Sequence, residues 1–248
     1  MYPKIHLFDF TIDSYQLSHA VGIIVVIILL HLEFKRNKYS PLDYFILIFV
    51  TLMTGIIGSK IYYLLLYWDK FIRHPSEFIF SPAGSGWYGG LILGILSILI
   101  VSRLKHIPPL HVLDIITTIL PLGQAFGRLG CFLAGCCRGI PTSVPWAMSF
   151  PNGALPTSDR VHPTQLYEMI IYLCVFLLLW KLRKKNLKDG SLFSLYLILA
   201  GLGRFIIEFI RLTPKTSIYL TIPQIFALAG ILTGCYMLIM KRDKDKLT

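Results

Sequence analysis

Two arginines stand in stretches that are otherwise apolar. Arg128 lies in Gly127-Arg-Leu-Gly130, and Arg204 lies in Gly203-Arg-Phe-Ile-Ile-Glu208-Phe-Ile-Arg211. A guanidinium inside a membrane span costs about 2.5–3.5 kcal/mol on insertion scales, so it usually marks a site or a pairing. Singly, each has a plain explanation. Arg204 can pair with Glu208 at (i, i+4), and Arg128 can snorkel to the interface. Together, at similar depth and each beside glycine, they favour a shared anion site. The guanidinium fork matches a phosphate, and the glycines let a headgroup approach the backbone.

Three further groups could carry chemistry. In Gly84-Ser-Gly-Trp-Tyr-Gly-Gly-Leu91, glycines before a helix start can form an anion-binding nest, although Gly89 and Gly90 would serve helix packing equally well. Tyr88 is either an interfacial anchor or a hydrogen-bond donor to substrate. In His162-Pro-Thr-Gln-Leu-Tyr-Glu168, His162 or Thr164 can cap a helix, and Glu168 sits in its first turns where the dipole favours an acid. The functional alternative puts His162 and Glu168 near the same anion site. Cys131, Cys136 and Cys137 suggest metal or redox work, yet their spacing matches no zinc signature and no Cys-x-x-Cys pair. They are read as structural or incidental thiols, with a disulfide or a metal as alternatives and no metal assigned.

The elements that must position these residues are membrane helices. Of 248 residues 55% are apolar and 15% charged, against a soluble norm of roughly 45–50% and 25%. Mean hydropathy is +0.66. So few charges could not cover a soluble domain, which excludes disorder, a coiled coil and an ordinary cytosolic enzyme. A span needs about 20 apolar residues. Seven segments qualify, at roughly 16–33, 43–67, 87–102, 112–133, 165–181, 191–211 and 218–240. The expected fold is an all-α integral membrane protein with about seven transmembrane helices, a single polytopic domain over 1–248.

The net charge of +11 has a topological reading rather than a nucleic-acid one, because the basic residues sit in short runs between apolar segments. Loops after the first, third and fifth spans, with the C-terminus, hold fourteen Lys and Arg, against seven on the other side. That places the N-terminus outside and the C-terminus inside. The longest loop, about 134–164, then lies on the outer face. It holds five prolines and three glycines, so it is no regular helix. The alternation of Trp146, Met148 and Phe150 suggests a short extended piece within it. No cleavable signal peptide is evident, since Asp9 and Asp13 precede the first apolar run.

These motifs together resemble prolipoprotein diacylglyceryl transferase. The resemblance rests on Tyr88-Gly-Gly-Leu91, Gly127-Arg-Leu-Gly-Cys-Phe-Leu-Ala-Gly-Cys-Cys-Arg-Gly139, His162-Pro-Thr-Gln-Leu-Tyr-Glu168 and Arg204-Phe-Ile-Ile-Glu-Phe-Ile-Arg211, in that order over roughly residues 55–230. It implies transfer of diacylglycerol from phosphatidylglycerol to the lipobox cysteine thiol of a preprolipoprotein. A thioether forms, glycerol phosphate leaves, and no cofactor is needed. It implies a bacterial inner-membrane location, with the site toward the outer leaflet. By the match, Arg128 and Arg204 fall on essential arginines, and Gly139, Glu208 and Arg211 on functional positions. Gly89, Gly90, His162 and Glu168 are expected to help bind substrate. The partners implied are phosphatidylglycerol, lipobox signal peptides and membrane lipids.

The departures from the pattern are specific. The family commonly has His, proposed as base for the incoming thiol, where this chain has Tyr88. The common signature has Asn at the position of Cys131 and Glu at that of Cys136, and a Tyr often found one turn before the arginine is Ala200 here. A free thiol of pKa about 8.5 is a few per cent ionised near pH 7, so full ionisation gains only about 30-fold, about 2 kcal/mol. Stabilising the leaving phosphate is worth more, which puts the main catalytic burden on Arg128 and Arg204. Tyr88 is placed with them as base or as a group orienting the phosphate. Competing readings are a related transferase with another lipid donor or acceptor, a non-catalytic anionic-lipid-binding protein, and a membrane thiol oxidoreductase.

Overall fold

The computed structural model describes residues 3–7, 10–80, 87–213, 216 and 219–244. The chain runs β1 (Lys4–Leu7), β2 (Phe10–Asp13), α1 (Ser14–Arg36), α2 (Pro41–Leu66), α3 (Trp68–Arg73), α4 (Pro75–Phe80), α5 (Trp87–Leu104), α6 (Pro109–Ala134), β3 (Met148–Phe150), β4 (Thr157–Val161), α7 (Thr164–Leu182), α8 (Ser191–Glu208) and α9 (Ile222–Lys244). Six of these helices are long and apolar enough to cross a membrane, and Tyr88–Leu104 is a shorter apolar helix. Large apolar side chains such as Ile24, Phe45, Leu177, Ile206 and Leu232 are exposed along them. Only hydrocarbon makes such a surface stable, and the protein is a helical, multi-pass integral membrane protein.

Six of the expected segments are these long helices and the third, 87–102, is the shorter apolar helix α5; the bounds differ locally. The two short helices α3 and α4 and two antiparallel hairpins, β1–β2 and β3–β4, were not expected. The expected extended piece at 146–150 is β3. The last span starts at Ile222, where Thr221 and Gln224 form a reciprocal capping box: Gln224 N–H donates to Thr221 Oγ1 (3.3 Å) and Thr221 N–H to Gln224 Oε1 (3.0 Å). The sixth span ends at Glu208, not 211. Phe209, Ile210 and Arg211 bond three residues back, which tightens the last turn and releases the chain. Neither His162 nor Thr164 caps α7: the N-cap is Pro163, whose side chain has no polar group to offer, and the Thr164 hydroxyl donates to the Cys137 carbonyl at 2.9 Å.

Contacts group the chain into two compact units, Met1–Leu30 with Asp114–Thr248, and His31–Leu113. In the second, α2 and α5 pack through glycine: a Cβ on Gly58 would lie 2.5 Å from the Gly89 carbonyl oxygen. In the first, α6 from Asp114 onward is more deeply buried than α9. Val175, Leu179, Leu192 and Tyr196 close the core between α7 and α8, with Leu120 of α6 packed against them.

Residues 135–163 are pinned to this core rather than loose. Gly139 N–H donates to His162 O (2.9 Å), His162 N–H to Ile140 O (3.1 Å) and Ile140 N–H to Ile210 O (2.9 Å). The chain around Gly139 thus bridges the entry of α7 and the exit of α8. Gly139 is glycine because a Cβ there would lie 2.5 Å from Ile210 O and 2.8 Å from the His162 Cβ.

Helix α8 starts on a borrowed cap. Gly190 is left-handed (φ +80°) and makes no side-chain cap. Asp114 of α6 supplies it, accepting from Gly190 N–H at 2.6 Å and Phe193 N–H at 2.7 Å. Asp114→Ala would leave two buried donors unmet and is expected to cost about 2–4 kcal/mol. Asp114→Asn, with one acceptor oxygen, should recover part of the loss. Thermal unfolding in detergent micelles measures both.

Candidate functional site

Glu168, on the second turn of α7, is the centre of the site. It is almost fully buried, and three arginines from different parts of the chain reach it. Arg204 of α8 lies 2.6 Å from Oε1. Arg128 of α6 and Arg211 beyond α8 each lie 3.2 Å from Oε2. Arg204 also lies 2.7 Å from Glu208, and Arg211 Nε 3.9 Å from it. The expected Arg204–Glu208 pair is therefore present, but within a larger network. Arg128 does not simply snorkel; it pairs with a buried carboxylate.

Three arginines against two glutamates leave one positive charge in excess. The charges are also layered. The arginine side chains are 24%, 19% and 14% exposed, while Glu168 and Glu208 are 2% and 0% exposed. The carboxylates are the buried side of the network, and the guanidinium groups they pair with are its accessible side. Such an arrangement can take an anion that satisfies the remaining N–H donors. Tyr172, one turn after Glu168, is buried and within electrostatic reach of Arg128. Sequence reasoning missed it, although its (i, i+4) spacing from Glu168 places both on one face of α7.

The other expected site residues fall in three places. Gly139 lies on the strand-like segment that pairs with Arg211. His162 meets the Tyr167 hydroxyl (3.3 Å), which accepts from Trp146 Nε1 (2.6 Å). Among the described residues no hydrogen bond joins His162 to the arginines or glutamates. Tyr88, Gly89 and Gly90 belong to the His31–Leu113 unit, in the first turn of α5, where Gly89 is taken up by the Gly58 contact and the Tyr88 ring lies edge-on to Tyr62. The Gly84-Ser-Gly86 part of the expected nest lies outside the described residues.

The cysteines are where the fold adds most to the spacing. Cys131, Cys136 and Cys137 bring their three Sγ atoms within 4.8 Å of one another. The cause is the C-terminus of α6. Cys136 N–H donates to Cys131 O and Gly135 N–H to Phe132 O, with Gly135 left-handed at φ +67°. This is a Schellman ending, which returns Cys136 over the last turn beside Cys131. Cys137, also left-handed at φ +61°, turns its thiol toward the same point. The Cys136 thiol donates to the Cys131 carbonyl at 3.7 Å, and Arg211 and Arg128 lie within electrostatic reach of Cys137. The signal available in the sequence was Gly135 after an apolar helix, with cysteine on both sides at the positions such an ending brings together.

The comparisons with known proteins agree with this architecture. A family model described as prolipoprotein diacylglyceryl transferase matches residues 4–240. The chain is 36% identical over 245 residues to the phosphatidylglycerol–prolipoprotein diacylglyceryl transferase of Clostridium tetani, covering 97% of each. It is 33% identical to a second such enzyme of Clostridium perfringens, covering 94% of this chain and 91% of that one. To the enzyme of Clostridioides difficile it is 31% identical, covering 98% and 96%. With the match running across nearly the whole chain, the protein belongs to the prolipoprotein diacylglyceryl transferase family.

Proposed function

We propose that this transferase moves the diacylglyceryl group of phosphatidylglycerol to the cysteine thiol of a prolipoprotein lipobox, making a thioether and releasing glycerol phosphate. The observation that carries the reading is the layered charge at Glu168: guanidinium groups partly exposed in front, carboxylates buried behind, one positive charge in excess. A phosphatidylglycerol phosphodiester carries one negative charge, which the excess matches. As the glycerol carbon–oxygen bond breaks, a second negative charge grows on the phosphate. Fixed donors aimed at that charge stabilise the transition state more than the bound lipid.

In this reading Arg128 and Arg204 hold the phosphate. Glu168, Glu208 and Arg211 fix their orientation, and Gly139 keeps the Arg211 segment close. The basic-residue asymmetry supports an inner-membrane protein with its N-terminus outside, its C-terminus in the cytoplasm and the site toward the outer leaflet.

Purified protein supplied with phosphatidylglycerol and a lipobox peptide is expected to yield the diacylglyceryl thioether and glycerol phosphate, both read by mass spectrometry. Folded protein that leaves the peptide unmodified refutes the assignment. Arg128→Lys and Arg204→Lys should each lose about 10²–10³ in turnover with little change in apparent lipid affinity, since a point charge cannot replace the planar fork.

The two glutamates should separate in stability. Glu168→Gln removes the carboxylate shared by three arginines and should cost about 3–5 kcal/mol, the usual range for breaking a buried pair. Glu208→Gln, which touches one arginine closely and a second at 3.9 Å, should cost less. Unfolding midpoints in detergent at matched protein levels test the order.

A further inference from the structure

We propose that Cys131, Cys136 and Cys137 bind one zinc ion as three thiolates, and that its fourth position takes the sulfur of the acceptor cysteine. The second half rests on the transfer reading above; the first does not. Zinc held by thiolates at about 2.3 Å in a tetrahedron sets its sulfurs about 3.8 Å apart. The three Sγ atoms already lie within 4.8 Å of one another, so rotamer adjustments bring them to bonding distance. None of them is in a disulfide. Among the described residues no His, Asp, Glu or further Cys joins the group. Three protein ligands with an open fourth position is the pattern of a catalytic rather than a structural zinc site.

The surroundings fit an exchangeable ligand. Cys131 is buried, whereas Cys136 and Cys137 are half-buried, so the cluster has a closed side and an accessible one. The backbone is fixed before any ion arrives. Gln165 Nε2 donates to Cys136 O at 2.6 Å and Thr164 Oγ1 to Cys137 O at 2.9 Å. A Cβ on Gly135 would lie 2.6 Å from the Gly153 Cα, so the turn is wedged against the loop. Cys137, a non-glycine residue in the left-handed region (φ +61°), stores strain, and such strain persists where the local geometry has a use. The cluster also adjoins the arginines. Cys131 is one turn beyond Arg128 on α6, and Cys137 precedes Gly139, which pairs with Arg211. A sulfur held here would stand beside the phosphate held there.

The step balances without an oxidant. The incoming thiol binds zinc through sulfur and releases its proton to water, because a coordinating thiol is deprotonated outright. That sulfur attacks the glycerol carbon bearing the phosphate ester. A carbon–sulfur bond forms, and the carbon–oxygen bond breaks with its electron pair on the phosphate oxygen. Glycerol phosphate leaves, zinc keeps its oxidation state, and the neutral thioether gives way to water. This supplies thiol activation in a chain where Tyr88, a phenol of reference pKa about 10, stands at the position of the expected base.

The test uses the full-length protein with Cys174→Ser and Cys235→Ser, which removes the two cysteines outside the cluster. Purified under reducing conditions, it should hold one zinc per chain. Replacement by Co2+ should give sulfur-to-metal charge-transfer bands with a tetrahedral ligand field, lost on adding Cys131→Ser, Cys136→Ser or Cys137→Ser to proteins that still unfold cooperatively. A lipobox peptide should shift the Co2+ spectrum, and its Cys→Ser form should not. Chelation should lower transfer at least tenfold, with zinc restoring it. Full transfer by metal-free protein, absence of Co2+ binding, or a mapped disulfide within the trio overturns the zinc site and leaves the transferase reading standing. Metal binding without a peptide-induced shift overturns the fourth-position assignment. Zinc bound and peptide bound with no thioether formed refutes the transferase reading while the zinc site stands.

Discussion

A carboxylate with almost no contact with solvent has to be neutralised where it stands, and Glu168 sets that requirement for the rest of the protein. Removing an ion from water costs several kcal/mol even after relaxation, and only close, well-aligned partners repay it. Its partners come from α6, from α8 and from the segment after α8. These parts must therefore hold their distances to within a hydrogen bond. Glycine makes the approach possible. A Cβ on Gly203, beside Arg204, would lie 2.6 Å from Ile171 Cγ2, one turn beyond Glu168 on α7. The residues beside the arginines set the helix spacing at the height of the ion network, so packing and electrostatics are satisfied by the same contact.

The network is biased rather than balanced. Had the cluster held two arginines and two glutamates, it would be neutral at rest and would offer no net attraction to an anion. With three arginines it is electrostatically incomplete until an anion arrives, and its donors are fixed by the buried carboxylates before that happens. Preorganised donors of this kind do not reorient as the charge grows, and electrostatic catalysis in a low-dielectric site depends on that.

The membrane fold was legible from the sequence because hydropathy and length alone decide where a chain can cross a bilayer. The Arg204–Glu208 pair was legible because it is local to one helix. What was not legible is non-local. Nothing in the spacing of Arg128, Glu168 and Arg211 says that α6 and the segment after α8 bring both arginines to the Glu168 carboxylate on α7. Asp114 capping α8 across 76 residues has no local signature either. The early end of α8 was hidden because Phe209 and Ile210 continue the apolar pattern while their amides tighten into the last turn. The capping box at Thr221 and Gln224 was readable as Thr-x-x-Gln, and the apolar pattern upstream of it drew the span boundary too early.

The cysteines bring these strands together. Two of the positions where the chain departs from the family's common signature, Cys131 and Cys136, are five residues apart and would look unrelated on a regular helix. The Schellman ending at Gly135 makes them neighbours, and the left-handed Cys137 completes the group. Substitutions scattered along a sequence but adjacent in space alter one microenvironment as a unit. Here that unit is three thiols, and it lies within electrostatic reach of the guanidinium groups of Arg128 and Arg211. A positive field favours the thiolate form of sulfur for the same reason that it favours phosphate. In the proposed reaction the charge that orients the leaving group would therefore also poise the sulfur chemistry, and both would depend on the buried carboxylate that holds the arginines in place.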